Sequence, residues 1–106
     1  MVRKTDLVKE LKVFIENLNR DFKISNFILF GSRATNKFKE NSDVDLIIVS
    51  DNFKGMNFFE RTSKMYAYWN LDLPVDFLCY TKDEFNILKK KISIVKESLN
   101  QGIIIQ

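Results

Sequence analysis

The sequence predicts an α/β domain in which a small sheet is covered by helices. Three observations carry this: short β-branched and aromatic runs near residues 24–30, 43–49 and 74–80, amphipathic stretches around them, and turn or capping residues at the junctions. The 106 residues are 45% hydrophobic and 13% aromatic, so a single domain over residues 1–106 with one substantial core is expected.

Leu7, Leu11, Phe14, Ile15 and Leu18 recur at helical spacing, which predicts an amphipathic helix over residues 5–21 with Thr5 as its cap. Ile24 to Phe30 is short and apolar and stops at Gly31-Ser32, which reads as a buried strand meeting a turn. The polar residues 35–42 read as a short helix or loop. Val44, Leu46 and Ile48 then alternate with Asp43, Asp45, Ile47 and Val49, which predicts a second buried strand with both aspartates on one face. After a turn at residues 51–55, Phe58, Phe59, Thr62, Met65, Tyr66 and Trp69 follow a helical period that ends near Asn70. Pro74 to Tyr80 makes a third strand, with proline at its first position. Thr81-Lys82-Asp83-Glu84 is a capping box, and Phe85, Leu88, Ile92, Val95 and Leu99 continue the stripe of a helix that runs to about Asn100, with a break near Ser93. Gly102 stops it, and Ile103 to Ile105 either add an edge strand or dock on a partner.

Composition removes several function classes. One cysteine, Cys79, excludes an internal disulfide and reads as a core residue, and the lack of histidine excludes His-based catalysis and the usual Zn²⁺ sites. Any metal must be held by oxygen. Without a signal-peptide core or an apolar stretch of roughly 20 residues, a cytoplasmic protein with no membrane association is expected. The net charge of +3 is modest, and Lys89-Lys90-Lys91 reads as a solvated helix face rather than a nucleic-acid patch. Asp51 and Asp72 read as loop carboxylates, while Phe58, Phe59, Tyr66, Tyr68 and Trp69 span more than one helical face; core packing explains most of them, and any aromatic patch left over would suit a protein partner.

Aspartate is disfavoured in strands and costly on a buried face, so Asp43 and Asp45 need a reason. Two residues apart on a strand, they point the same way about 6.5 Å apart and can converge on a cation. All-oxygen ligation completed by water and substrate phosphate suits Mg²⁺. The same pattern also fits a strand whose start is simply solvated. Gly31-Ser32 has a separate logic, because glycine admits a bulky ligand to the backbone, and the following amides and the Ser32 hydroxyl can cradle phosphate. Arg33 either adds a charged contact there or is a surface arginine.

Gly31-Ser32-Arg33-Ala34, then Ser42-Asp43-Val44-Asp45-Leu46, then Asp76 within Val75-Asp76-Phe77-Leu78 together resemble the signature of the polymerase-beta-type nucleotidyltransferase superfamily, and specifically its minimal nucleotidyltransferases. The resemblance covers nearly the whole chain and implies a nucleotidyltransferase fold with a small mixed sheet flanked by helices. It implies that Asp43 and Asp45 bind metal, two Mg²⁺ ions in all, that Asp76 joins them and activates the attacking hydroxyl, and that Gly31, Ser32 and Arg33 hold the triphosphate of a nucleotide such as ATP. Many relatives carry an Arg-Gly pair where this chain has Thr35-Asn36. Asparagine tolerates a left-handed backbone, so the turn survives the loss of glycine, but the phosphate or partner contact of the arginine is lost. Minimal nucleotidyltransferases commonly serve as antitoxins that adenylylate a tyrosine of a small helical HEPN-domain toxin, which implies such a partner here; a homo-oligomer stays open. Two other functions stay open as well: a module that neutralises its partner by binding alone, and a transferase acting on a small molecule or an RNA end.

Overall fold

In the computed structural model, which describes residues 4–31, 43–91 and 102–106, the first apolar stripe forms helix α1 (Lys4–Leu18). Leu7, Leu11, Phe14, Ile15 and Leu18 are all buried. Thr5 already lies within the helix rather than capping it. The expected end at residue 21 is replaced by a tightened turn, in which the amides of Arg20 and Asp21 donate to the carbonyls three residues back.

Strand β1 (Asn26–Phe30) begins two residues later than its apolar run. The backbone just before it is held by side chains instead of a strand: Lys23 donates its amide to Asn52 Oδ1 at 2.7 Å and accepts from the Ser50 hydroxyl at 2.8 Å. β2 (Val44–Val49) runs antiparallel to β1, and β3 (Val75–Tyr80) runs parallel to β2. Between them come a 3₁₀ turn at Asp51–Phe53 and helix α2 (Phe58–Tyr66). α2 opens on a capping box of Asn57 with Glu60 and stops short of Asn70, because the amides of Tyr68 and Trp69 bond three residues back. The Thr81–Glu84 capping box forms as expected and starts helix α3 (Lys82–Lys89). Ile103–Ile104 is the expected edge strand, β4, antiparallel to β1. It is held there by Gln106, whose side-chain amide donates to Ile24 O at 2.7 Å. The short helix or loop at residues 35–42 and the continuation through Ile92, Ser93, Val95 and Leu99 lie outside the described residues.

The sheet is mixed, in the order β3-β2-β1-β4. One face carries Phe27, Leu29, Leu46, Ile48, Phe77 and Cys79 into the larger core with α1, Phe53 and Met65. The other carries Ile28, Phe30, Ile47 and Val49 into a second core with Phe85 of α3. With both faces covered, β2 is apolar at successive positions rather than strictly alternating.

Candidate active site

The parallel register of β2 and β3 sets Val44 against Val75, Asp45 against Asp76 and Leu46 against Phe77. The two aspartates are therefore neighbours across the ladder, on strands about 4.8 Å apart, and side chains at paired positions leave the same face. Asp43, two residues before Asp45, shares that face, and the ladder already holds there through Val44 N–H to Pro74 O at 2.8 Å. On the other side of β2, Phe30 pairs with Asp45, which delivers Gly31 to the same place. Gly31 has φ +74°, in the left-handed region, and a Cβ there would run into the Asp45 carboxylate. The left-handed conformation favours glycine, and any side chain there would have to push the Asp45 carboxylate aside.

Asp43 and Asp76 are exposed and Asp45 is half-buried. Burial, then the charge of Asp76, then that of Asp43 raise the Asp45 carboxyl above the ordinary carboxylate value. Among the described residues, the ion pairs are Lys54 with Asp51 and Arg61 with Glu84, so none of the three aspartates is neutralised by a described cation. This oxygen-only negative set, uncompensated among the described residues, matches the chemistry of a hard divalent cation such as Mg²⁺. Among the described residues, no three acidic or other ligating side chains close on one point. Mg²⁺ does not need that, since it takes one or two carboxylates and fills its octahedron with water and phosphate oxygens. Ser32, Arg33, Ala34, Thr35, Asn36 and Ser42 lie outside the described residues.

Beside these strands, Arg61 escaped the sequence reading and Tyr66 entered it only as one of the helix aromatics. Tyr66, the last residue of α2, donates its hydroxyl to Val75 O at 2.6 Å, and its ring meets Phe77 edge-on at a centroid distance of 4.9 Å. Burial, then Asp76 and Asp43, raise its hydroxyl above the ordinary tyrosine value, which places it in the field of the acidic cluster. Arg61 works at the other end of β3, where it donates to Cys79 O at 3.1 Å, to Met56 O at 3.0 Å and through both terminal nitrogens to Glu84. Beside it lies an open groove of about 540 Å³ lined by Met56, Phe58, Ile87 and Leu88 among others. Phe58 is 63% and Phe59 77% exposed, so part of the aromatic surplus does face outward, whereas Tyr68 and Trp69 pack against the core. Cys79 is buried, and its thiol is pushed up to about 12 by that burial, which makes it a core residue and not a nucleophile.

A mixed four-stranded sheet with a glycine turn against paired strand aspartates defines a class, and the chain matches the nucleotidyltransferase domain over residues 11–100 and belongs to that family. Nucleotidyltransferases generally use divalent metal ions. Within the class, the chain is 30% identical over 96 residues to a probable protein adenylyltransferase, MntA, of Haemophilus influenzae, covering 87% of this chain and 80% of that protein. It is 28% identical over 100 residues to a protein of Methanocaldococcus jannaschii provisionally named a protein adenylyltransferase, covering 92% and 94%. In fold it is similar to a provisionally assigned nucleotidyltransferase from Sulfolobus solfataricus, with a TM-score of 0.68 at 22% identity over 95% of this chain and 80% of that one. A chain of a toxin-antitoxin structure solved with AMP-PNP superposes with a TM-score of 0.57 at 22% identity, over 90% and 72%. Among the described residues, no helix is long and apolar enough to cross a membrane.

Proposed function

We propose that the chain transfers AMP from ATP to a hydroxyl of a protein partner, a tyrosine of a small helical HEPN-domain toxin, and so acts as an antitoxin in the cytoplasm. The observation that carries this reading is the strand register that sets Asp45 beside Asp76, with Gly31 against the Asp45 carboxylate. Similarity to proteins named as adenylyltransferases supports protein as the acceptor, and similarity to a toxin-antitoxin chain solved with AMP-PNP supports an adenine nucleotide and a toxin partner.

In this reading Asp43 and Asp45, joined by Asp76, hold two Mg²⁺ ions. The bound metal would supply charge neutralisation on the triphosphate and on the attacking and leaving oxygens. Gly31 lets the phosphates approach the backbone, while Ser32 and Arg33 offer a hydroxyl and a positive charge to their oxygens. Asp76 reaches the site from its own strand, on the acceptor side. It orients the acceptor hydroxyl and takes its proton as the oxygen attacks the α-phosphorus, the bond from that phosphorus to the pyrophosphate oxygen breaks, and pyrophosphate leaves.

Co-expression with the product of the adjacent gene, followed by incubation with α-labelled ATP and Mg²⁺, tests the reading by gel and intact mass. The expected result is label on a tyrosine of the partner. A complex that forms but takes label from no nucleoside triphosphate would make the chain a neutralising binding module. Label confined to free small molecules or RNA ends would make it an independent transferase.

A further inference from the structure

We propose that Tyr66 is a positioning residue for Asp76, holding the backbone just before that carboxylate and the side chain just after it from the edge of the sheet. Among the described residues β3 is the outermost strand and pairs with β2 alone, so its start has described ladder bonds on one side only. A strand end held on one side is where fraying and twisting begin.

Tyr66 closes the other side. Its hydroxyl donates to Val75 O at 2.6 Å, and its ring packs edge-on against Phe77 with centroids 4.9 Å apart. Val75 and Phe77 are the residues immediately before and after Asp76. One side chain therefore grips both neighbours of the carboxylate, the first through its carbonyl and the second through its ring. The direction in which an Asp side chain leaves a strand follows from the peptide planes on either side of it. The bond to Val75 O holds the plane before Asp76, and the ring contact steadies the strand just beyond it.

The placement separates this role from plain stabilisation. Tyr66 is 48% exposed, so water can take over Val75 O when the hydroxyl is removed, and a bond exchanged for water at an exposed edge costs the fold little. Proton transfer to Asp76 is less tolerant, since a displacement of about 1 Å in a reacting group can cost roughly 10²-fold in rate. Loss of one of two grips should give a part of that.

The proposal rests on the role of Asp76 given above, and four variants keep the two apart. Y66F removes the hydroxyl and keeps the ring, D76N removes the carboxylate charge, the double variant combines them, and Y68F is the control because its hydroxyl bonds Asp21 away from the site. Melting temperature, ATP affinity and kcat for AMP transfer to the co-expressed adjacent gene product are measured for each. Y66F is expected to bind ATP and to melt like the wild type while kcat falls about tenfold, as a fraction of the misplacement cost. Y68F should keep wild-type kcat, and Y66F should bring no further fall in the D76N background, because two residues acting through one step are not additive. Y66L, which loses ring and hydroxyl together, should fall further than Y66F when compared below its own melting temperature. Wild-type kcat in folded Y66F beside a collapsed D76N would overturn the positioning role alone, as would the same tenfold fall in both backgrounds. Wild-type kcat in D76N would instead overturn the role of Asp76 itself.

Discussion

The two ends of the β2–β3 pair are built on opposite principles. At the start, Asp43, Asp45 and Asp76 crowd like charges together, with a left-handed glycine pressed against the middle one. At the finish, polar groups are buried and matched: Ser50 is fully buried, donates its amide to Tyr80 O at 2.9 Å and its hydroxyl to Lys23 O at 2.8 Å. Thr81 and Glu84 cap each other's amides, and Arg61 ties Glu84, Cys79 O and Met56 O together. Six residues of strand separate a region that lowers the energy of the fold from one that raises it. Sites evolve under selection for chemistry, and a fold tolerates their strain when its other contacts exceed the stability threshold.

The largest effect that would test this contrast comes from Asp45→Asn. Transfer is expected to fall by about 10²–10³-fold, the usual cost of losing one preorganised electrostatic group. Stability without metal should move the other way. Burial and the neighbouring aspartates raise the Asp45 carboxyl, so the fold favours its protonated form and ionisation at neutral pH works against folding. Melting in chelator at pH 7 should thus show the variant at or above the wild type. Added Mg²⁺ should raise the wild-type melting temperature more than the variant's, since a ligand stabilises the state that binds it. A variant that melts far below the wild type in chelator would mean that this end is structural after all.

Arg61→Ala reverses the pattern. The side chain is only 11% exposed and serves three acceptors, and charge-assisted bonds of this kind contribute about 1.5–3 kcal/mol each to stability before water replaces any of them. A net loss of about 2 kcal/mol would lower the melting temperature of a domain this size by roughly 10 °C. Below that temperature turnover should stay within about twofold of the wild type, as for a site too distant to couple. A large fall in kcat from a folded Arg61→Ala protein would show that the two ends communicate.

What the sequence revealed follows from the range of each interaction. The helical stripe of α1, the short apolar run of β2 and the Thr81–Glu84 box are set by residues a few positions apart, so the local pattern shows them directly. Helix ends were less legible, because the tightened turns after Leu18 and Tyr66 depend on bonds that leave no mark on an apolar period. The box of Asn57 with Glu60 stood in the sequence as plainly as its counterpart but was masked by the two phenylalanines between them. The pairing of Asp45 with Asp76 joins residues on different strands, and no local pattern encodes such a register; it was reachable only through the resemblance to a family. Gly31 read as a turn glycine, whereas its neighbour, the Asp45 carboxylate, arrives from another strand. Tyr66 read only as one of the surplus aromatics and Arg61 drew no reading for the same reason, since their partners on β3 lie 9 and 18 positions away.

The smallest effect separates the two ends by pH. The bond from Arg61 holds the Glu84 carboxyl below its ordinary value of 4.5; partial burial opposes this, and the Thr81 bonds and the Arg61 charge add to the lowering. A lowered folded value means that the stabilisation is complete above about 4.5, the unfolded value, and is lost as pH falls through the folded one. Glu84 is 44% exposed, so after solvent screening the contribution should be no more than about 1 kcal/mol. The stability difference between wild type and Glu84→Gln should accordingly stay flat from pH 8 to 5 and shrink below pH 4.5. Asp45 has the opposite sign. Its raised carboxyl favours the fold when protonated, so in chelator the wild type should gain on Asp45→Asn as pH falls through the raised value. Denaturant titrations of the three proteins across this range would give two difference curves of opposite slope if one end stores charge and the other neutralises it. Parallel slopes would mean that Asp45 is stabilised as a carboxylate by a group on the protein itself, and the contrast between the ends would fail.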